Sequence, residues 1–84
     1  MIVHQTPGFE KQYRRLHPKI QKKFQKQMTF LLKDPHYPSL YTKKMDSKVW
    51  EARVDFHYRF TFIMTDEEVF LRSIGMHDKG LGKK

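Results

Sequence analysis

The sequence predicts an α+β fold in the order β-α-α-β-β-β, a helical hairpin packed on a small, mainly antiparallel sheet. Three observations predict it. Apolar residues recur at helical spacing through the first 33 positions, the period changes to two from Val49 onward, and prolines fall at the joints between segments. An amphipathic helix pair and a three-strand meander each have one apolar face, and each covers the other.

The elements follow in order. Ile2 to Thr6 alternates and reads as a short strand that adds to one edge of the sheet, with Pro7-Gly8 breaking it. Phe9, Tyr13 and Leu16 then mark a helix over residues 8–16, ended by His17-Pro18. Pro18 suits the first position of a second helix, in which Ile20, Phe24, Met28, Leu31 and Leu32 share one face. Lys19, Lys22, Lys23 and Lys26 fall largely on its other side, and Asp34-Pro35 closes it. Residues 35–48 read as a loop, with Tyr37, Leu40 and Met45 as its anchors. In the strand beginning at Val49, Trp50, Ala52 and Val54 point one way and Glu51, Arg53 and Asp55 the other. A turn at Phe56-His57 leads to the strand Tyr58 to Met64, with Phe60 and Phe62 opposite Arg59 and Thr61. After a turn at residues 65–67, Val69 to Met76 is the last strand, and the remaining residues form a tail.

Eighty-four residues suffice for a single domain with a small core, filled by seven Phe, four Tyr and one Trp. The absence of cysteine excludes a disulfide scaffold and thiolate metal sites. No signal-like segment opens the chain and no apolar run is long enough to span a bilayer, so a cytoplasmic protein without membrane association is expected. His4, His17, His36, His57 and His77 are scattered without ligand spacing, so no metal and no cofactor is expected. No phosphate-cradling glycine loop and no acyl-transfer nucleophile motif is present.

Charge is the strongest compositional feature. The formal charge is +8, and residues 1–33 hold eight Lys or Arg against Glu10 alone. The remaining 51 residues are nearly balanced, nine against eight. A field of this kind favours polyanions, although the same lysines also fit a solvated helix face. On the sheet, Arg53 and Arg59 flank a short turn and can converge on one surface, with His77 just beyond the last strand. Guanidinium groups suit phosphate oxygens, and an imidazole suits proton transfer at a ribose 2′-hydroxyl or a leaving 5′-oxygen. The plainer alternatives are strand ion pairs of Arg53 with Glu51 or Asp55, a pair of Arg59 with Asp66 or a helix acid, and a surface histidine or a turn initiated at His77-Asp78. Arg53, Arg59 and His77 are the candidate catalytic residues. Lys22, Lys23, Lys26, Lys43, Lys44, Lys79 and Lys83 are the candidate RNA-binding cations.

The segments TPGFEKQYRRL, PSLYTKKM, VWEARVDFHYRFTF and IGMHD resemble the RelE/ParE superfamily of toxins from type II toxin–antitoxin systems, over essentially the whole chain. The resemblance, closest to the RelE branch, implies the same β-α-α-β-β-β fold. It implies a metal-independent endoribonuclease that cuts mRNA on the ribosome and inhibits translation. It also implies an antitoxin partner, with the toxin alone monomeric. Arg53, Arg59 and His77 match the family's basic and imidazole positions. Glu51 stands where RelE proper carries a lysine, and Leu81 and Lys83 occupy the neighbourhood of a terminal aromatic used by several members. The ParE side of the resemblance implies instead a toxin that binds DNA gyrase without chemistry of its own, and a relative reduced to antitoxin binding is the third reading.

Overall fold

The computed structural model describes residues 1–77. Strand β1 (Ile2–Gln5) leads to α1 (Pro7–Arg14) and α2 (Pro18–Lys33), followed by a 3₁₀ turn at Pro38–Leu40. The sheet is completed by β2 (Lys43–Lys44), β3 (Trp50–Arg53), β4 (Tyr58–Met64) and β5 (Glu68–Met76). The strands lie in the order β1-β5-β4-β3-β2, with β1 parallel to β5 and every other pair antiparallel. The expected α+β architecture, with a helical hairpin on a mainly antiparallel sheet, is what the chain adopts.

Three local expectations are corrected. Pro7-Gly8 ends the strand as expected, but α1 opens at Pro7, one residue earlier, because the Thr6 hydroxyl accepts from the Phe9 N–H at 3.1 Å and Pro7 has no N–H to lose. The segment read as a loop contains β2, whose two residues are too few to show a period of two. The β3 strand stops at Arg53, since Val54 and Asp55 both donate to the Tyr58 carbonyl and so belong to the hairpin turn.

The core lies between the helices and one face of the sheet. Phe9, Phe24 and Leu31 from the helices meet Ala52, Phe60, Phe62, Val69, Leu71 and Ile74 from the strands. Phe24 crosses Phe60 edge to face at 5.1 Å and 89°, a favoured aromatic geometry that fixes α2 over the sheet centre. Between β4 and β5 the register shifts after Thr61, so that Phe62 pairs with Leu71 and Arg72 is left over. This bulge lets Val69, Leu71 and Ile74 all reach the core, and the Gln12 side chain accepts from the Ile74 N–H at 3.0 Å.

Gln27 is a polar residue on the helical side of the core. It is 7% exposed; its amide N–H₂ donates to the carbonyls of Ser39 at 3.0 Å and Arg53 at 2.8 Å, while its oxygen accepts from the Ser39 hydroxyl. One satisfied side chain therefore joins α2, the 3₁₀ turn and the end of β3. Among the described residues no helix is long and apolar enough to cross a membrane.

Candidate nucleic-acid interface

The sheet face turned away from the helices carries the candidate site. Pairing registers place its residues in rows. Lys43 stands opposite Glu51, Glu51 opposite Thr61, and Thr61 opposite Ser73. In the next row Arg53 stands opposite Arg59, and Arg59 opposite Gly75. Continuing the β2–β3 register by two residues brings Tyr41 across from Arg53. The Arg53 guanidinium carbon indeed lies 4.1 Å from the Tyr41 ring centroid.

Two arginines opposite one another would repel unless their charge were dispersed or met by an anion. The local structure turns them to different partners. Arg53 stacks on Tyr41 and has no ion pair among the described residues. Arg59 is 7% exposed, and its Nη1 donates to the carbonyls of Asp55 at 2.9 Å, Phe56 at 2.8 Å and Tyr58 at 3.3 Å. Arg59 thus ties the β3–β4 turn together as well as adding charge to the strip. Neither expected ion pair, Arg53 with Glu51 or Asp55 and Arg59 with Asp66, occurs among the salt bridges of the described residues.

The turn itself is shaped by Asp55. Its Oδ1 accepts from the N–H groups of His57 and Tyr58, both at 2.9 Å, and its Oδ2 accepts from the Lys23 ammonium at 3.1 Å. Burial pushes the Asp55 carboxyl up, but the Tyr58 N–H, the Lys23 ammonium and the His57 N–H outweigh it and hold the group below the usual carboxylate value. At the tip, Phe56 is 73% exposed and meets His57 edge-on at 5.1 Å. The His77 N–H donates to the His57 carbonyl at 2.8 Å, so the last strand leaves the sheet beside this turn. His77 is exposed there.

This face of β3 and β4, turned away from the helices, is not the solvated surface that alternation predicts. Glu51 is 5% exposed and Thr61 4%, with Thr61 and Ser73 sharing a hydroxyl–hydroxyl hydrogen bond at 2.6 Å. The Glu51 side chain has no hydrogen bond or ion pair among the described residues, and since no fully buried side-chain oxygen there is left unsatisfied, its carboxylate keeps contact with solvent beside the cationic row. Sequence reasoning treated Glu51 as a departure from the RelE pattern or an ion-pair partner of Arg53, and it gave Tyr41, Phe56 and His57 no part in the site. The one signal for Tyr41 was its place in the basic stretch YTKK.

Of the expected cations, Lys43 and Lys44 are exposed at the sheet edge; Lys43 stands on the strip's face opposite Glu51, whereas Lys44 turns to the other face and lies over the Trp50 ring at 5.3 Å. Lys22, Lys23 and Lys26 do not join it. They belong to the helical layer on the other side of the sheet, and Lys23 is held by Asp55. Lys79 and Lys83 lie outside the described residues. Among the described residues no group of three or more His, Asp or Glu side chains converges in a way that could hold a metal ion.

No protein-family model matches the chain, and no curated protein matches it in sequence. Solved structures do match. The YoeB/ParE toxin from Agrobacterium tumefaciens superposes with a TM-score of 0.78 at 13% identity, covering 92% of this chain and 99% of that one. The fold is that of the RelE, YoeB and YafQ toxins. The isolated E. coli RelE toxin gives a TM-score of 0.73 at 17% identity, with 94% of this chain and 86% of that chain covered. The E. coli DinJ–YafQ toxin–antitoxin complex gives 0.74 at 16% identity, covering 95% and 96%.

Proposed function

We propose that this chain is a toxin of a type II toxin–antitoxin system and acts as a metal-independent endoribonuclease on ribosome-bound mRNA. The observation that carries the reading is the arrangement of the sheet strip. Arg53 and Arg59 stand opposite one another beside the Glu51 carboxylate, with His77 at the adjacent strand end. The shared fold supports the toxin role, and the DinJ–YafQ complex supports an antitoxin as the partner. A basic surface complements an acidic antitoxin segment.

The chemistry follows from the residues. Glu51 takes the proton from the ribose 2′-hydroxyl, and the 2′-oxygen attacks the adjacent phosphorus. The bond from phosphorus to the 5′-oxygen breaks, and His77 gives that oxygen its proton, leaving a 2′,3′-cyclic phosphate. Arg53 and Arg59 stabilise the charge that accumulates on the phosphoryl oxygens. The nucleophile comes from the substrate, so the step needs no metal. Lys43 and Lys44 hold the flanking backbone, as Lys79 and Lys83 do from the tail. The site of action is the cytoplasm.

Primer extension on cellular mRNA after brief induction tests this. Wild type should give discrete cuts, and Glu51→Gln, Arg53→Ala and His77→Ala should each suppress them at least a hundred-fold. Growth arrest with intact mRNA would overturn the reading and favour a gyrase-binding toxin instead.

A further inference from the structure

Tyr41 is the only non-glycine residue with positive φ among the described residues, at φ 47° and ψ 47°. The left-handed region costs a β-carbon-bearing residue about 1 kcal/mol or more, and glycine would occupy it freely. A tyrosine there is held by its surroundings on both sides. Leu40 is fully buried, Ser39 is bound to Gln27, and the Tyr41 N–H closes the 3₁₀ turn on the Pro38 carbonyl. On the other flank the Thr42 hydroxyl donates to the Pro35 carbonyl at 2.6 Å. The backbone is therefore fixed at a strained angle whose effect is to display a ring that contributes nothing to the core. Tyr41 stays 64% exposed although Arg53 covers one of its faces. Strain of this kind, kept by a rigid frame, is characteristic of binding sites.

We propose that Tyr41 and Arg53 form a nucleobase-stacking subsite, in which one base of single-stranded RNA lies on the outer face of Tyr41. Arg53, fixed beneath the ring, directs its guanidinium edge to the neighbouring phosphate. The subsite rests on the reading that RNA is the ligand. It also supplies, from the loop before β2, an aromatic surface next to the arginine row. A stacking platform accepts any base, because every base has a π-face, whereas the arginine reads only the backbone. The subsite thus sets the register of the strand relative to Glu51 without selecting its sequence.

The test uses a 2′-O-methyl RNA oligonucleotide, which cannot supply the attacking hydroxyl, carrying a single 2-aminopurine walked through successive positions. Its fluorescence reports stacking, and its anisotropy reports binding. Wild type and Tyr41→Phe should quench the probe at one position. Tyr41→Gly should abolish that quenching and weaken binding roughly ten-fold, the loss expected for one stacked base. Because glycine relieves the backbone strain, Tyr41→Gly should unfold no earlier than wild type in a thermal melt, which separates lost stacking from lost folding. Unchanged quenching and affinity in Tyr41→Gly, in a protein that still cleaves mRNA, would overturn the subsite and leave the nuclease reading standing. Failure of wild type to bind this RNA while it still cuts mRNA in cells would overturn the subsite alone, and failure to bind together with intact mRNA would overturn both.

Discussion

At the scale of single residues, the site depends on a few side chains whose partners are unusual for their type. Asp55 is the clearest, since three donors converge on one carboxylate at the turn that carries Arg59 and His57. Its carboxyl is held below the ordinary value, so the folded state favours the ionised form. The stability this contributes is present above the unfolded carboxylate pKa of about 3.9 and is lost as pH falls through the lower folded value. Asp55→Ala should therefore destabilise the protein at pH 7, by about 1–3 kcal/mol for two orphaned turn amides and a lost ion pair. The gap between variant and wild type should narrow on acidification below pH 4, as read by chemical denaturation at a series of pH values. A constant gap across that range would assign the turn's stability to something other than the ionised carboxylate. Glu51 is the converse case, a carboxylate with no hydrogen bond or ion pair among the described residues, and the proposed function gives it a role in proton transfer rather than in holding the fold.

At the scale of elements, the loop between α2 and β3 decides whether the strip is assembled. Gln27 joins α2 to Ser39 and to the carbonyl of Arg53, and the same contacts set the position of Tyr41 against Arg53. Gln27→Ala should cost about 1–3 kcal/mol, since two buried carbonyls and a hydroxyl lose their partner. In a thermal melt that corresponds to a fall of roughly 4–8 °C per kcal/mol for a domain of this size. RNA affinity should drop as well, because the stacked pair loosens, whereas a variant that melts early but binds normally would show the loop to be positioned by other contacts.

The elements also show what the sequence could and could not reveal. Both helices and the three long strands were legible because each has an apolar face repeated several times, as Ile20, Phe24, Met28 and Leu31 or Phe60 and Phe62 illustrate. The start of α1 was misplaced by one residue because the capping bond from Thr6 brings Pro7 into the helix. Strand β2 was missed because two residues carry no period. The site was half legible: cation positions could be read from spacing, but the burial of Glu51 and Thr61 could not, because alternation assumes that one face of the strand meets water. Beyond its place in the basic stretch YTKK, the left-handed conformation of Tyr41 had no sequence signal, since its geometry is imposed by the contacts of Leu40, Ser39 and Thr42.

At the scale of the whole molecule, the two layers divide the charge. The helical layer carries Lys19, Lys22 and Lys26 at its surface, and the sheet layer carries Tyr41, Lys43 and Arg53 on the opposite side. The basic N-terminal half suggested a helical contact with RNA, yet the chemistry-bearing groups lie across the sheet. On the proposed function, the helical cations raise the long-range field and the encounter rate, while the sheet strip makes the contacts. The central claim is therefore about location, and backbone amide NMR during titration with a non-cleavable RNA locates binding directly. Chemical shifts should move at Tyr41, Lys43, Glu51, Arg53, Gly75 and His77, with Lys22 and Lys26 changing little. Perturbations confined to α2, with the sheet strip silent, would contradict the account.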